Sequence, residues 1–252
     1  MTAADPFRGA LRAALREAVA GRPRLWRAIC RLRGATQGMV SASTVVVCEG
    51  YQRSGNSFAE AALMLTQGDI EIAHHRHVAA QLLHAVRIGT PALLLIRDPC
   101  DAVASAVLRR PRDTGLRREL KSWINFNRAC LPIAEQLVIS DFPVTTSHFT
   151  AVLAALSARS GRSFSSAGLD DATIAERAFA EIARISERRG TAKLLNYGPH
   201  LSAAARAART RALQEMKSKL ETQHADDLAR ARDIHARLRS RSVAIDAAGH
   251  RP

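Results

Sequence analysis

A short loop rich in glycine, serine and arginine is the part of this sequence best suited to chemistry. Its sequence is YQRSGNS, from Tyr51 to Ser57. The loop follows a run of β-branched residues, Thr44 to Val47, and precedes the helix-forming segment FAEAALML. A strand, a tight loop and a helix in this order direct backbone N–H groups and the positive end of a helix dipole into one concavity. The sequence therefore predicts a loop that binds phosphate or sulfate oxygens.

The spacing within this loop is close to that of a nucleotide-binding P-loop. Gly50, Gly55 and Ser57 stand at the positions of the two glycines and the hydroxyl residue. Asn56 occupies the position of the P-loop lysine, and Arg53 supplies a positive charge inside the loop instead. The missing lysine argues against the usual grip on ATP and magnesium, although arginine and N–H groups still suit an anion. A P-loop kinase or nucleotidase that uses ATP stays open as an alternative.

A second motif follows another apolar strand, which is predicted over residues 92–96. Arg97 comes directly after this strand, and Ser105 lies eight residues further along. Asp98 and Pro99 between them fit the start of a helix, with aspartate as the cap and proline at the first position. Because ligands collect at the carboxyl ends of parallel strands, Arg97 is expected beside the first loop. The alternatives are a surface ion pair for Arg97 and a helix serine without a role for Ser105.

Both motifs, in this order, are similar to signatures of the sulfotransferases that use 3′-phosphoadenosine 5′-phosphosulfate. The first signature of that family has loops such as RSGSSF, and here residues 53–58 are RSGNSF. The second has an arginine, DP or NP, and a serine eight residues beyond the arginine. The resemblance covers roughly residues 45–164. It implies an α/β fold of the P-loop nucleotide-binding type, in which helices flank a central parallel sheet, with helical N- and C-terminal extensions.

The resemblance also implies a cofactor, 3′-phosphoadenosine 5′-phosphosulfate, and roles for individual residues without any metal. Arg53 would neutralise charge at the transferred group, the rest of the loop would hold phosphate and sulfate oxygens, and Arg97 with Ser105 would hold the 3′-phosphate. An aromatic side chain at the end of a later strand, Phe142, would contact the adenine, with core packing as the alternative. The cofactor-binding set is Arg53, Ser54, Gly55, Asn56, Ser57, Phe58, Arg97, Ser105 and Phe142, to which the short RRG motif adds Arg188, Arg189 and Gly190.

Three histidines follow a short strand predicted over residues 70–73. His74, His75 and His77 lie just before a helical segment, and histidine is well suited to proton transfer near neutral pH. In the resembled family a histidine at this place removes the proton of the acceptor. His75 is the preferred catalytic base, His74 also fits, and His77 is held in reserve. The alternatives are metal binding by the cluster or a place on a basic surface.

Composition and charge limit the kind of partner. The chain has 252 residues and a formal charge of +14, which favours a polyanion. Nucleic acid, a nucleotide cofactor and an acidic membrane surface all satisfy that charge, so a non-catalytic nucleic-acid or membrane-binding protein is the second alternative. Four scattered cysteines without a CxxC pair indicate a reducing compartment, and no signal peptide or spanning segment is recognisable. We expect a cytoplasmic enzyme that acts on a small-molecule, glycan or lipid acceptor and does not bind nucleic acid.

Three regions are predicted along the chain. Residues 1–40 form a basic helical segment, whose part 6–33 either contacts an acidic membrane or packs on the domain. Residues 41–240 form one sulfotransferase-like α/β domain, which ends in a long arginine-rich helix capped by Ser202. Residues 241–252 are predicted to be a disordered tail.

Overall fold

A four-stranded parallel sheet lies at the centre of the protein in the computed structural model, which describes residues 21–109, 115–188 and 202–245. All three strand pairs are parallel, and the strand order is β2-β1-β3-β4. The predicted α/β fold with a central parallel sheet flanked by helices is confirmed. The strands are β1 (Val46–Gly50), β2 (Ile72–His74), β3 (Ala92–Ile96) and β4 (Val138–Asp141).

The two central strands are buried along their whole length. Every residue of β1 and β3 is buried, as expected for parallel strands covered on both faces. Their carboxyl ends approach closely, because Gly50 pairs with Leu95. A Cβ atom at Gly50 would lie 2.4 Å from the carbonyl oxygen of Leu95. Glycine is therefore required where the chain leaves β1 for the first loop.

Ten α-helices surround the sheet within the described residues. In chain order they are α1 (Pro23–Leu32), α2 (Asn56–Gln67), α3 (Ala79–Arg87), α4 (Pro99–Arg109), α5 (Leu116–Cys130), α6 (Phe142–Ser147), α7 (Phe149–Ser160), α8 (Asp171–Arg188), α9 (Ala203–Gln223) and α10 (Ala225–Arg239). A 3-10 helix, Leu131–Gln136, precedes β4. The predicted start of α4 is confirmed, since the Asp98 carboxylate accepts the N–H of Asp101 at 3.0 Å.

Alternate residues of the strands build two hydrophobic cores, one on each face of the sheet. On one face Leu94 and Ile96 pack with α3, α4, α5, α9 and α10. On the other face Leu93 and Leu95 pack with α2, α7 and α8. The sheet is thus the middle of three layers, and its carboxyl edge is the place where the strand-to-helix loops gather.

The arginine-rich C-terminal segment forms two helices where one long helix was expected. The Ser202 hydroxyl caps α9 as predicted by accepting the N–H of Ala205 at 3.1 Å. His224, with φ −137°, ends this helix and starts α10. The break lets the apolar stripe of both helices, including Leu220 and Ile234, enter the larger core.

The N-terminal helix α1 packs on the domain through a small apolar cluster. Trp26 and Cys30 are buried against Val78 and Ala80. No helix among the described residues is both long and apolar enough to cross a membrane. The remainder of the predicted N-terminal segment, residues 1–20, and most of the predicted tail, residues 246–252, lie outside the described residues.

Candidate anion-binding site at the carboxyl edge of the sheet

The first loop joins β1 to α2 by a tight turn with unusual backbone angles. Arg53 and Gly55 both have positive φ values, 70° and 95°. Gly55 is the N-cap of α2 and provides no side-chain cap, so the N–H groups of the first helical turn face the loop. Such N–H groups and the helix dipole favour an anion at this point. A left-handed backbone at a non-glycine residue such as Arg53 is itself a common mark of functional loops.

The two arginines of the sequence motifs lie together. Nη1 of Arg97 donates to the carbonyl oxygen of Arg53 at 3.0 Å, and Nε of Arg53 donates to the Ser105 hydroxyl at 2.9 Å. Because β1 and β3 are neighbours while the chain visits β2 between them, this edge is the switch point of the sheet, where ligands bind in open α/β folds. The structure thus brings Arg53, Arg97 and Ser105 into one cluster, and Ser105 is only 2% exposed.

Arg97 lies in a partly desolvated environment. Its guanidinium carbon is 4.2 Å from the centre of the Phe142 ring. Burial lowers the pKa of Arg97, while the carboxylates of Asp101, Asp98 and Asp141 act in the opposite direction. An arginine that has lost part of its hydration gains more from a bound anion than an exposed one does.

Phe142 is positioned differently from the prediction, which placed it at the end of a strand. The strand β4 ends at Asp141, and Phe142 is the first residue of α6. The Asp141 carboxylate caps this helix by accepting the N–H of Phe142 at 2.8 Å. Phe142 nevertheless lies at the carboxyl edge, where its ring would be 3.4 Å from a Cβ atom added at Gly55.

Two loop residues point into the protein. Asn56, which replaces the P-loop lysine, is 4% exposed, and its amide nitrogen donates to the carbonyl oxygen of Tyr51 at 3.0 Å. Ser54 is 1% exposed. Within the described part of the chain, the buried oxygens Oγ of Ser54 and Oδ1 of Asn56 have no hydrogen-bond partner. The Asn56 side chain therefore stabilises the loop from inside.

Phe58 belongs to the hydrophobic core. Its ring is 3% exposed and lies 6.0 Å from the ring of Phe149 and 5.0 Å from that of Phe179. Because the side chain of Phe58 is apolar and buried, this residue can offer an anion only its backbone N–H group, in the first turn of α2.

The histidine cluster lies beside the loop, on the outer side of β1. Nε2 of His75 is 3.3 Å from the Ser57 hydroxyl, which connects the cluster to the start of α2. Nδ1 of His77 is 3.0 Å from the carbonyl oxygen of Gly50. His74 ends β2, and its Nδ1 lies 3.4 Å from the Glu60 carboxylate. His75 thus contacts the start of α2, whereas His77 contacts the last residue of β1.

Glu49, which was not among the residues predicted from the sequence, holds the histidine segment in place. This carboxylate is fully buried in β1 and accepts the N–H groups of Arg76 and His77 at 2.7 and 2.9 Å. The side-chain amide of Gln81 donates to it at 2.9 Å. Burial raises the pKa of Glu49 to about 8, although these hydrogen bonds favour the ionised form. A single acidic residue inside an apolar strand was the available signal in the sequence.

The raised pKa of Glu49 predicts that part of the stability is lost at high pH. Its ordinary value of 4.5 applies to the unfolded chain, so protonated Glu49 contributes fully below that pH and the contribution disappears as pH rises towards 8. The free energy of unfolding should fall by up to about 1.4 kcal/mol per pH unit in this window. Glu49→Gln cannot titrate and should lack this slope. Urea unfolding across about pH 5 to pH 8 measures both slopes, and parallel curves would refute the prediction.

The RRG motif is only partly described. Arg188 is the last residue of α8, and its guanidinium lies 3.8 Å from the Glu181 carboxylate of the same helix. Arg189 and Gly190 lie outside the described residues. The structure therefore does not connect this motif with the loop.

The segment 6–33 was expected either to contact an acidic membrane or to pack on the domain, and its described part, which contains α1, packs on the domain. Trp26 itself is 5% exposed and lies under the guanidinium of Arg76, so its ring is not available to a membrane. A surface groove between α1 and α3 is rich in cations and is lined by Arg24, Arg27, Arg31, His84 and Arg87.

Comparisons with known protein families, with curated proteins and with solved structures found no match to this chain.

Proposed function

We propose that this protein is a sulfotransferase that uses 3′-phosphoadenosine 5′-phosphosulfate, on a sheet of the P-loop nucleotide-binding type. The observation that carries the proposal is the contact of Arg97 with the Arg53 backbone at the switch point of the sheet. Two cations from neighbouring strand ends suit a ligand with negative groups at two ends. The two motifs that resemble this family are the same two segments that meet there.

The contacts support different roles for the two arginines, which would bind different negative groups of the donor. Arg53 belongs to the loop at the start of α2, where N–H groups favour the 5′-phosphate and the sulfuryl oxygens. Arg97 and Ser105 would hold the 3′-phosphate, which distinguishes this donor from ATP. Because the Ser105 hydroxyl accepts from Nε of Arg53, a 3′-phosphate at Ser105 would require Arg53 to exchange that bond for one to the ligand. The Arg97 guanidinium already lies on the Phe142 ring, which places the aromatic residue proposed for adenine beside it.

Sulfuryl transfer needs mainly orientation and charge stabilisation from the protein. A new bond forms between sulfur and the oxygen or nitrogen of the acceptor, while the bond from sulfur to the 5′-phosphate oxygen breaks in line with it. Nε2 of His75 would accept the acceptor proton, and its contact with Ser57 puts it next to the loop. Arg53 would offset the charge that develops on the leaving oxygen. The acceptor, a small molecule, glycan or lipid, would approach from the histidine side.

The ATP-dependent alternative has less support from the loop. A P-loop kinase relies on a lysine that reaches the phosphates, whereas Asn56 at this position is turned inwards to Tyr51. The cation that the loop does contain, Arg53, donates to the Ser105 hydroxyl from its Nε atom. The geometry thus favours a donor without a metal-bound triphosphate.

Calorimetric titration of the full chain with 3′-phosphoadenosine 5′-phosphate and with ADP, both in EDTA, tests the proposal. We expect the 3′-phosphate to improve affinity about 10- to 100-fold, since hydrogen bonds to charged groups contribute about 1.5–3 kcal/mol. Equal affinities that depend on magnesium would favour the kinase or nucleotidase. Binding that ignores the 3′-phosphate and falls steeply with salt would favour a charge-driven nucleic-acid or membrane protein.

A further inference from the structure

Three side chains next to the loop converge on one point. Nδ1 of His74 and Nδ1 of His75 are 3.2 Å apart. The Glu60 carboxylate of α2 lies 3.4 Å from the first nitrogen and 3.3 Å from the second. All three potential ligand atoms lie within 4.8 Å of one another. Proton transfer by one histidine does not require this triangle.

The dimensions of the triangle match those of a metal site. Zinc binds histidine nitrogen and carboxylate oxygen at about 2.0–2.2 Å with tetrahedral geometry, so two ligands of one ion lie roughly 3.3–3.6 Å apart. Here the two nitrogens are 3.2 Å apart, Nδ1 of His74 lies 3.4 Å from Oε1 of Glu60, and Nδ1 of His75 lies 3.3 Å from Oε2 of the same carboxylate. Two imidazole nitrogens and one carboxylate also form a donor set that first-row transition metals favour.

The backbone is arranged to bring two successive histidines to one side. Consecutive residues of an extended strand point in opposite directions, but His75 has a φ of 58° in the left-handed region. This conformation is unfavourable for a residue with a side chain and is held by the hydrogen bonds of Glu49 to the next two N–H groups. The side chains remain accessible, with exposures of 28% for His74, 33% for His75 and 30% for Glu60.

We propose that Glu60, His74 and His75 bind a divalent transition-metal ion, with Zn²⁺ as the species that fits best. The site supplies three protein ligands and leaves the fourth position on the solvent side, as in zinc sites that keep an open position. This inference goes beyond the proposed transfer reaction and does not depend on it, because it uses only the positions of the three side chains.

The ion would also control the transfer reaction, a consequence that rests on the proposed function. Coordination through Nδ1 uses the lone pair of neutral His75 and leaves the proton on Nε2, which faces Ser57. In that state Nε2 donates a hydrogen bond and cannot take a proton from an acceptor. Bound Zn²⁺ would therefore inhibit transfer, and a chelator would restore it.

Titration of the untagged, metal-stripped full chain with Co²⁺ under reducing conditions tests the site itself. We expect visible absorption bands of tetrahedral Co²⁺ that saturate at one ion per chain and disappear when Zn²⁺ is added. His74→Ala and Glu60→Gln should each weaken binding by about 100-fold or more, since even the loss of a ligand's hydrogen-bond partner costs about 10–100-fold. His148→Ala is the matched control. It also removes a histidine near a carboxylate, because His148 lies 3.9 Å from Asp171, but that pair contains one histidine where the proposed site contains two.

Several outcomes would overturn the inference. Absence of the bands in the wild-type chain at millimolar Co²⁺ is one, and equal affinity of the wild-type, His74→Ala and Glu60→Gln chains is another. Circular dichroism of each variant separates loss of ligands from loss of folding, and Glu60→Gln provides the ligand test if His74→Ala does not fold. Titration with 3′-phosphoadenosine 5′-phosphate in EDTA reports on the proposed function alone, so failure of one proposal is distinguishable from failure of the other.

Discussion

Replacement of His75 by alanine is expected to lower the turnover number by about 10²–10⁴-fold, the usual contribution of a general base. Affinity for 3′-phosphoadenosine 5′-phosphate should remain close to that of the wild-type chain. The physical reason is that Nε2 of His75 lies 3.3 Å from Ser57, while the arginines that would hold the nucleotide lie in the segments that follow β1 and β3. A residue that acts only on the acceptor proton changes the rate and leaves donor binding intact.

The turnover number is measured from the release of 3′-phosphoadenosine 5′-phosphate. The assay contains labelled 3′-phosphoadenosine 5′-phosphosulfate as the donor, a panel of hydroxyl and amine acceptors, and EDTA. His148→Ala serves as a control because it removes a half-exposed histidine outside the site. Undiminished activity of His75→Ala would contradict the assignment and transfer the role of base to His74 or His77. A parallel loss of nucleotide affinity would instead indicate that the substitution disturbs the loop.

Replacement of Arg97 by alanine is expected to weaken binding of 3′-phosphoadenosine 5′-phosphate by about 1–3 kcal/mol, or roughly 5- to 150-fold. Arg53→Ala should have an effect of similar size. Two losses would combine in Arg97→Ala: the charge opposite the 3′-phosphate, and the hydrogen bond that fixes the Arg53 carbonyl at 3.0 Å. Affinity for ADP should change much less in Arg97→Ala, because ADP lacks the 3′-phosphate.

Two further variants make this result specific. Arg162→Ala removes one positive charge from an exposed position after α7, so it controls for the general effect of net charge. Arg97→Lys keeps the charge but loses the planar guanidinium, and it should recover only part of the affinity. Normal binding in both Arg53→Ala and Arg97→Ala would refute the nucleotide site, whereas equal losses in all arginine variants would show a non-specific charge effect.

Much of the fold could be predicted from local patterns. The apolar run before Arg97 predicted β3 with the observed limits, and Asp98 and Pro99 predicted the start of α4. Parallel pairing of two such strands was enough to expect Arg97 beside the first loop. These features depend on the periodicity of side chains and on caps, which are encoded within a few neighbouring residues.

Two element boundaries were predicted wrongly. The strand predicted through Phe142 ends one residue earlier, since the Asp141 side chain turns toward the next N–H group and starts α6. The predicted long C-terminal helix divides at His224, and apolar residues of both resulting helices belong to the larger core. The end of β4 thus follows from a local aspartate cap, like the one at the start of α4, whereas both helices that flank His224 place residues in the larger core.

The amino-acid sequence by itself predicted the parallel α/β architecture, which the structure confirms, and proposed an anion-binding loop, because helix caps, glycines and buried strands have short-range signatures. Only the tertiary structure decided that the Glu49 carboxylate accepts a backbone N–H group of the histidine segment. The same holds for the contacts of the Glu60 carboxylate with His74 and His75. Those contacts join residues from β1, α2 and the end of β2. Their distances arise from how the strands and helices pack, and the type of each residue alone does not specify them.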